Sequence, residues 1–272
     1  MLYSYGLTLG LQAILRGHLT RESLKNIIVP VNYWRTLEYR IVFEELAAAR
    51  SDRILDIGSP KLLSLYLADR IGAEVFSTDI ERCFIRDYDA FRKMRRIPEK
   101  RFHTVEADGR NLQFEDGSFT KIFSISVLEH IPGSGDSECM EEIARTLKTG
   151  GTCVLTVPFS PLGRDEYQHK RISQWPLKLT KATHGNGAFF QRRYSQSDLF
   201  KRLIDPSGLG LQKLQYFGER VFVGQDREIG ELLPPVTGVI HPLMGRVFQT
   251  KLYDSWQDVR NPLGALIVMN KS

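Results

Sequence analysis

Short apolar runs alternate with segments of helical periodicity through the middle of this 272-residue chain. The apolar runs predict five strands, at Arg53–Ile57, Glu74–Thr78, Phe102–Ala107, Ile122–Val127 and Thr152–Val157. Between them, the spacing of apolar residues predicts helices over Pro60–Ile71, Glu81–Met94 and Glu138–Leu147. Strands that alternate with helices in this way are typical of a parallel sheet with helices on both faces. We therefore predict an α/β fold with a doubly wound, Rossmann-like sheet.

The two ends of the chain follow different patterns. Residues 1–50 are predicted to be helical, and Asn32 is placed to cap a helix whose apolar positions recur three and four residues apart. After Val157, the pattern predicts a helix at about Ser195–Leu203 and strands at Leu209–Phe217 and Gly264–Met269. We therefore divide the chain into an N-terminal helical cap, residues 1–50, and a main domain, residues 51–272, with irregular insertions at about 158–194 and 218–260. Long insertions are usually functional.

Composition limits the environment of the chain more than its function. The net charge of +5 is mildly basic and requires no particular anionic partner. The three cysteines form no CxxC pair, which argues against a disulfide scaffold and structural zinc and favours a reducing, cytoplasmic compartment. No window approaches the roughly 20 apolar residues that span a bilayer. The apolar segment 1–15 leaves peripheral membrane contact open as an alternative.

A candidate ligand site follows the first predicted strand. Asp56 and Gly58 come where this strand turns into a helix, and Asp79 ends the next strand 79 − 56 = 23 residues later. Ligands of doubly wound sheets bind at the carboxyl ends of the strands, so both acids are expected at one site. A single glycine preceded by an acid does not suit a pyrophosphate. It suits a cationic or zwitterionic ligand whose ribose is held by Asp79.

Five motifs in this order resemble the class I S-adenosylmethionine-dependent methyltransferases, and within them the small-molecule group often called type 11. The motifs are Leu55-Asp56-Ile57-Gly58-Ser59, Asp79 at its strand end, Ala107-Asp108-Gly109, Ser124–Ile131, and Leu147-Lys148-Thr149-Gly150-Gly151. The first motif departs from the family pattern, because Pro60 and Leu62 stand where further glycines are usual. This departure puts the backbone approach to the cofactor's amino-acid end in question.

The resemblance implies a seven-stranded sheet, with Gly264–Met269 as an antiparallel last strand beside the sixth, and S-adenosyl-L-methionine as cofactor. It implies that Asp56 and Gly58 lie at the methionine part, and that Asp79 and Ile80 contact the cofactor on its ribose side. Asp108 and Gly109 would lie at the adenine, and Ser124 and Ile125 near the sulfonium.

Several of these residues also have purely structural interpretations. Asp56 could cap the following helix, and Asp79 and Asp108 could be turn residues. His130 is our candidate general base, because it follows the strand that faces the donor, but its ring could instead hold a loop or contact the cofactor. We interpret Glu129 as a charge at a helix start. We predict no metal ligands, since no acid lies within Ser124–Leu128 to hold magnesium.

The predicted function is methylation of an oxygen or carbon atom of a small metabolite, sugar or lipid-like acceptor. A nucleic-acid substrate is disfavoured, because the Asn/Asp-Pro-Pro-aromatic motif of amino-methylating enzymes is absent. Two alternatives remain open. One is a nicotinamide-dependent oxidoreductase, which would share the sheet and the ribose acid but lacks its GxGxxG loop here. The other is a catalytically degenerate binding module, favoured by Pro60. The sequence names neither the acceptor nor the oligomeric state.

Overall fold

A seven-stranded, mostly parallel sheet forms the centre of the molecule. The computed structural model describes residues 1–168, 187–221 and 240–272, together with Ile229 and Gly238. In chain order the strands are β1 Arg53–Ile57, β2 Glu74–Asp79, β3 Phe102–Glu106, β4 Phe119–Ile125, β5 Leu147–Pro158, β6 Arg164–Gln168, β7 Ala188–Arg193, β8 Gly210–Glu219 and β9 Asn261–Asn270. The sheet order is β3-β2-β1-β4-β5-β9-β8, while β6 and β7 form a separate hairpin.

The direction of the strands confirms the predicted doubly wound α/β fold. Strands β1 to β5 are parallel, and β9 runs antiparallel to both of its neighbours, β5 and β8. The predicted last strand, Gly264–Met269, lies inside β9. Only β1 has the predicted bounds at both ends. β4 runs from Phe119 to Ile125 rather than from Ile122 to Val127, and β5 begins at Leu147 rather than at Thr152, so Gly150 and Gly151 lie within that strand.

Helices cover both faces of the sheet. Their bounds are α1 Leu2–Leu15, α2 Arg21–Ile28, α3 Tyr33–Leu46, α4 Leu62–Tyr66, α5 Arg82–Met94, α6 Gly135–Thr146, α7 Gln196–Asp198, α8 Asp205–Ser207 and α9 His241–Phe248. π-helical turns, Leu67–Ile71 and Leu199–Ile204, extend α4 and join α7 to α8. Short 3₁₀ turns occupy Glu99–Arg101, Leu128–His130 and Trp256–Asp258. In the described part of the chain, no helix is both long and apolar enough to cross a membrane.

The N-terminal helices share their core with the sheet. The side chain of Asn32 accepts a hydrogen bond from Arg35 N at 2.9 Å, which confirms it as the cap of α3. Tyr5 of α1 packs edge-on against Tyr66, and a Cβ on Gly6 would come within 3.1 Å of Leu62. One hydrophobic cluster therefore joins the predicted cap to α4, α5 and the central strands, while a second lies on the other face under α6.

The two late insertions contain more regular structure than the pattern predicts. In the first, β6 and β7 pair antiparallel, and the rings of Tyr167 and Phe189 meet edge-on. The strand Arg164–Gln168 has four polar residues of five, so it shows no apolar alternation from which to predict it. In the second, α9 packs on α3. Residues 169–186 and most of 222–239, which include the rest of both insertions, lie outside the described residues.

Candidate functional site

The loop after β1 is fastened to both neighbouring strands. Gly58 has φ of +63°, and a Cβ there would lie 2.7 Å from Val127 Cγ1, so only glycine fits. Its backbone N–H donates to Thr78 O at 3.1 Å. The buried Ser59 hydroxyl accepts from Ile125 N at 2.8 Å. These contacts hold the loop at the carboxyl ends of β1, β2 and β4.

Asp56 lies beneath this loop and is fully buried. One carboxylate oxygen accepts from Ser59 N at 3.0 Å, and the other accepts from the hydroxyls of Ser64, at 2.5 Å, and Ser77, at 2.9 Å. The carboxylate that we predicted to face a ligand thus supports the loop from inside instead. Asp56 therefore positions the loop and does not cap α4, which begins at Leu62 after its N-cap residue Lys61.

A lysine that the sequence did not single out lies between the two acids. The Lys61 ammonium donates to Thr78 O at 2.6 Å and lies 3.2 Å from Asp79 Oδ2 and 3.7 Å from Asp56 Oδ2. Its side chain is only 4% exposed. The available signal was a charged residue between Gly58 and the following apolar helix, beside Pro60. The structure brings Asp56 and Asp79 together through this cation.

Asp79 and Ile80 lie where β2 opens to the surface. Asp79 Oδ1 accepts from Glu81 N at 2.9 Å, and its side chain keeps 13% of its area exposed. The Ile80 side chain projects into solvent and is 69% exposed. Beyond it lies a groove. The residues that line this groove include Ile80, Arg82, Glu106, Ala107, Asp108 and Phe114. The geometry places an acid and a flat apolar surface side by side.

Asp108 borders the groove on its far side. Arg110 donates to both of its carboxylate oxygens, the shorter contact being 2.6 Å, and this hydrogen bonding lowers the pKa of Asp108. A ligand amino group at Asp108 would therefore share an ionised carboxylate with Arg110, which sequence reasoning missed. Gly109 serves packing, because a Cβ there would lie 2.9 Å from Cys139 Sγ on α6.

Ser124 and Ile125 do not reach the open end of the sheet. Both are fully buried, and the Ser124 hydroxyl donates to Ile57 O at 3.0 Å. β4 ends at Ile125, and the residues that follow it, Ser126 and Val127, are half-buried. The predicted place of Ser124 and Ile125 near the sulfonium stays a prediction. Ser126 has φ of +50°, a left-handed conformation that is costly for a residue with a Cβ and often marks a functional site.

The turn after β4 carries a buried acid and an exposed histidine. Burial raises the pKa of Glu129 to about 8, and its Oε2 atom has no hydrogen-bond partner. His130 Nδ1 lies 2.8 Å from Phe190 O, which can only accept, so this nitrogen carries the proton. His130 Nε2 lies 3.8 Å from Glu129 Oε1. The ring thus ties the turn to β7, and its predicted part as general base stays a prediction.

Charges from two distant elements surround Glu129. Arg35 and Glu38 of α3 form an ion pair, and Glu38 also accepts from the hydroxyls of Ser126 and Thr156. Arg193 of β7 approaches from the hairpin. In the described ranges, no group of three or more His, Cys, Asp and Glu side chains is arranged to hold a metal ion. The arrangement suits binding of an organic molecule at the ends of β1, β2 and β4.

Comparisons with known proteins agree with this geometry. A family model described as a methyltransferase domain matches residues 55–155. Methyltransferase GfsG of Streptomyces halstedii is 24% identical over 221 residues, 80% of this chain and 72% of that protein. The 2-phytyl-1,4-naphtoquinone methyltransferase of Nostoc punctiforme is 31% identical over 150 residues, 49% of this chain and 62% of that protein.

Solved structures share the fold at low sequence identity. The [4+2]-cyclase SpnF superposes with a TM-score of 0.59 at 13% identity, over 87% of this chain and 81% of that chain. A geranyl diphosphate C-methyltransferase from Streptomyces coelicolor A3(2), solved with Mg²⁺, geranyl diphosphate and S-adenosyl-L-homocysteine, has a TM-score of 0.55 at 12% identity, over 93% and 84%. At such identities the likeness concerns the fold alone.

Proposed function

We propose that this chain, a member of the class I methyltransferases, transfers a methyl group from S-adenosyl-L-methionine to a small organic acceptor. One observation carries the proposal. The matched segment, residues 55–155, contains the glycine loop after β1 and the acids that end β2 and follow β3. The parallel sheet brings all three to the carboxyl ends of its strands.

The residues at this edge fit the ribose and adenine of the cofactor. Asp79 is partly exposed, and each of its oxygens has a lone pair beyond its protein partner, so both can accept from ribose hydroxyls. The exposed Ile80 offers a flat apolar contact for the adenine ring, and Asp108 and Gly109 border the same groove. Gly58 and Ser59 would approach the methionine part with backbone.

When bound, the cofactor supplies a methyl group that its sulfonium already activates. The chain's own contribution is therefore mainly proximity and orientation. Ser126 and Val127 would border the donor, and Asp56 would keep the loop in place from beneath. An acceptor hydroxyl that must lose its proton needs a base, for which His130 remains a candidate.

The acceptor side is formed by parts outside the matched segment. Helix α3, from residues 1–50, and hairpin β6–β7, from the first insertion, lie over the ends of β4 and β5. We assign acceptor selection to these elements and to the second insertion. Small-molecule acceptors fit the relatives, which include a naphthoquinone methyltransferase. The three free cysteines agree with a reducing compartment such as the cytoplasm.

Calorimetric titration of S-adenosyl-L-homocysteine and of NAD into the purified protein tests the proposal. We expect S-adenosyl-L-homocysteine to bind and NAD not to bind. Asp79→Asn should weaken binding tenfold or more, about 1.4 kcal/mol. Glu99→Gln, which changes an exposed residue before β3 at the amino ends of the strands, should leave binding unchanged. Binding of NAD alone would favour an oxidoreductase. Binding of neither by folded protein would favour a binding module.

A further inference from the structure

Lys61 is an unusual residue in the loop after β1, the loop that we propose to contact the cofactor. It stands between Pro60 and Leu62, the two positions where the family pattern usually has glycines, and its ammonium is buried at the junction of β1 and β2. A buried ammonium is costly unless it is paired and hydrogen-bonded. Here two carboxylates and one carbonyl surround it, so the charge is compensated inside the loop.

The two acids depend on this cation to different degrees. Asp56 already accepts three hydrogen bonds from Ser59, Ser64 and Ser77. Asp79 has one other donor, Glu81 N, at its Oδ1 atom, whereas its Oδ2 atom is held by Lys61. Both carboxylates lie within 3.7 Å of the same ammonium, so without it they would repel each other. Asp79, the more exposed of the two, would then turn away.

We propose that Lys61 is a positioning residue for the cofactor, and that its ammonium holds Asp79 in the orientation that receives the two ribose hydroxyls. The inference rests on the proposed function. Lys61 approaches Oδ2 from the buried side of the loop, so the lone pairs on the exposed side stay available for the ligand.

The test is the preference for ribose hydroxyls, because a general loss of folding would weaken all ligands alike. S-adenosyl-L-homocysteine and its 2′,3′-dideoxyribose analogue are titrated into each variant by calorimetry. We expect the wild-type protein to prefer the hydroxylated ligand by tenfold or more. Lys61→Met should reduce this preference to within about threefold, as Asp79→Asn does, and the double variant should show no further loss. Lys148 is exposed at the start of β5, at the other end of the parallel strands, and Lys148→Met should keep the full preference.

A second variant covers the case in which Lys61→Met does not fold. Lys61→Met combined with Asp56→Asn leaves the cluster with the net charge of −1 that it has now, so the repulsion between the acids is removed while Asp79 still lacks its cation. We expect it to fold and to have lost the ribose preference. An unchanged preference in either Lys61 variant overturns this inference alone. A wild-type protein that binds no S-adenosyl-L-homocysteine overturns the proposed function as well.

Discussion

The buried carboxyl of Glu129 makes stability depend on pH in a direction opposite to that of most acids. Its side chain is 2% exposed, and loss of hydration raises its pKa from 4.5 to about 8. Its own backbone N–H and Arg35 oppose this shift, whereas Glu38 increases it, and Arg193 faces it from β7. Because the folded state keeps a proton that the unfolded state releases, stability falls as pH rises from about 4.5 to about 8.

The size of the effect follows from the shift. The difference of 8 − 4.5 = 3.5 pKa units corresponds to about 5 kcal/mol at 1.36 kcal/mol per unit, an upper figure for a buried group among other charges. Glu129→Gln keeps the shape of the side chain and cannot titrate. We therefore expect the difference in the free energy of unfolding, variant minus wild type, to grow by about 2–5 kcal/mol as the pH rises from 5 to 9.

Urea unfolding followed by circular dichroism at pH 5, 6, 7, 8 and 9 measures this difference. The matched control is Glu141→Gln, which removes an exposed acid from α6 and should give a difference that changes little with pH. If the free energies of unfolding of wild type and Glu129→Gln run parallel over this range, Glu129 is ionised in the folded state and the reasoning from its burial is refuted.

Three further changes probe the loop, the hairpin and the thiols. Gly58→Ala places a Cβ at a residue with left-handed backbone, 2.7 Å from Val127 Cγ1. Thermal unfolding should show a loss of stability of about 2 kcal/mol or more, and calorimetry a loss of affinity for S-adenosyl-L-homocysteine. Wild-type values of both would contradict the assigned loop geometry. Asp136→Ala removes a fully buried carboxylate that pairs with Arg192 and Arg202, while Arg192 keeps its second partner, Asp165. The change should cost about 2–4 kcal/mol in urea unfolding, whereas a loss below about 1 kcal/mol would show that these pairs are dispensable. Iodoacetamide at pH 8 should label the exposed Cys83 in the folded protein but neither of the buried thiols, Cys139 and Cys153; burial raises the pKa of Cys139 to about 12. Peptide mass spectrometry detects the label, and labelling of either buried thiol would count against this core.

The sequence predicted the sheet well because strand and helix periods differ and both faces are buried. β1 agrees residue for residue with its prediction, and its Ile54 and Leu55 have no exposed surface. The end of β4 was predicted two residues too late, because the apolar pattern continues through Val127 although the positive φ of Ser126 has already turned the chain. The two residues after this strand end, Ser126 and Val127, are half-buried, whereas Ser124 and Ile125 inside the strand are buried.

The hydrophobic pattern could not predict the direction in which a side chain points, nor its burial by segments distant in sequence. The position of Asp56 at a strand end says nothing about whether its carboxylate faces outward or meets Ser64 and Ser77 inside. We interpreted Glu129 as a charge at a helix start, but α3 and β7, about 90 residues before it and 60 after it, close over it and bury it. Such burial depends on tertiary contacts that no local period encodes.

The two sides of the site differ in how they are built, and this bears on what the chain can do. The proposed ribose and adenine side is formed by consecutive strands and the loops after them, all within the matched segment. The proposed acceptor side is formed by α3 and the β6–β7 hairpin. Glu38 of α3 accepts from the hydroxyls of Ser126 and Thr156, and Arg192 of β7 pairs with the buried Asp136 of α6. Sequence can therefore change in these elements without disturbing the cofactor side, provided that the buried pairs are kept. A cyclase and several methyltransferases share this fold, so the chemistry must be assigned from the acceptor side.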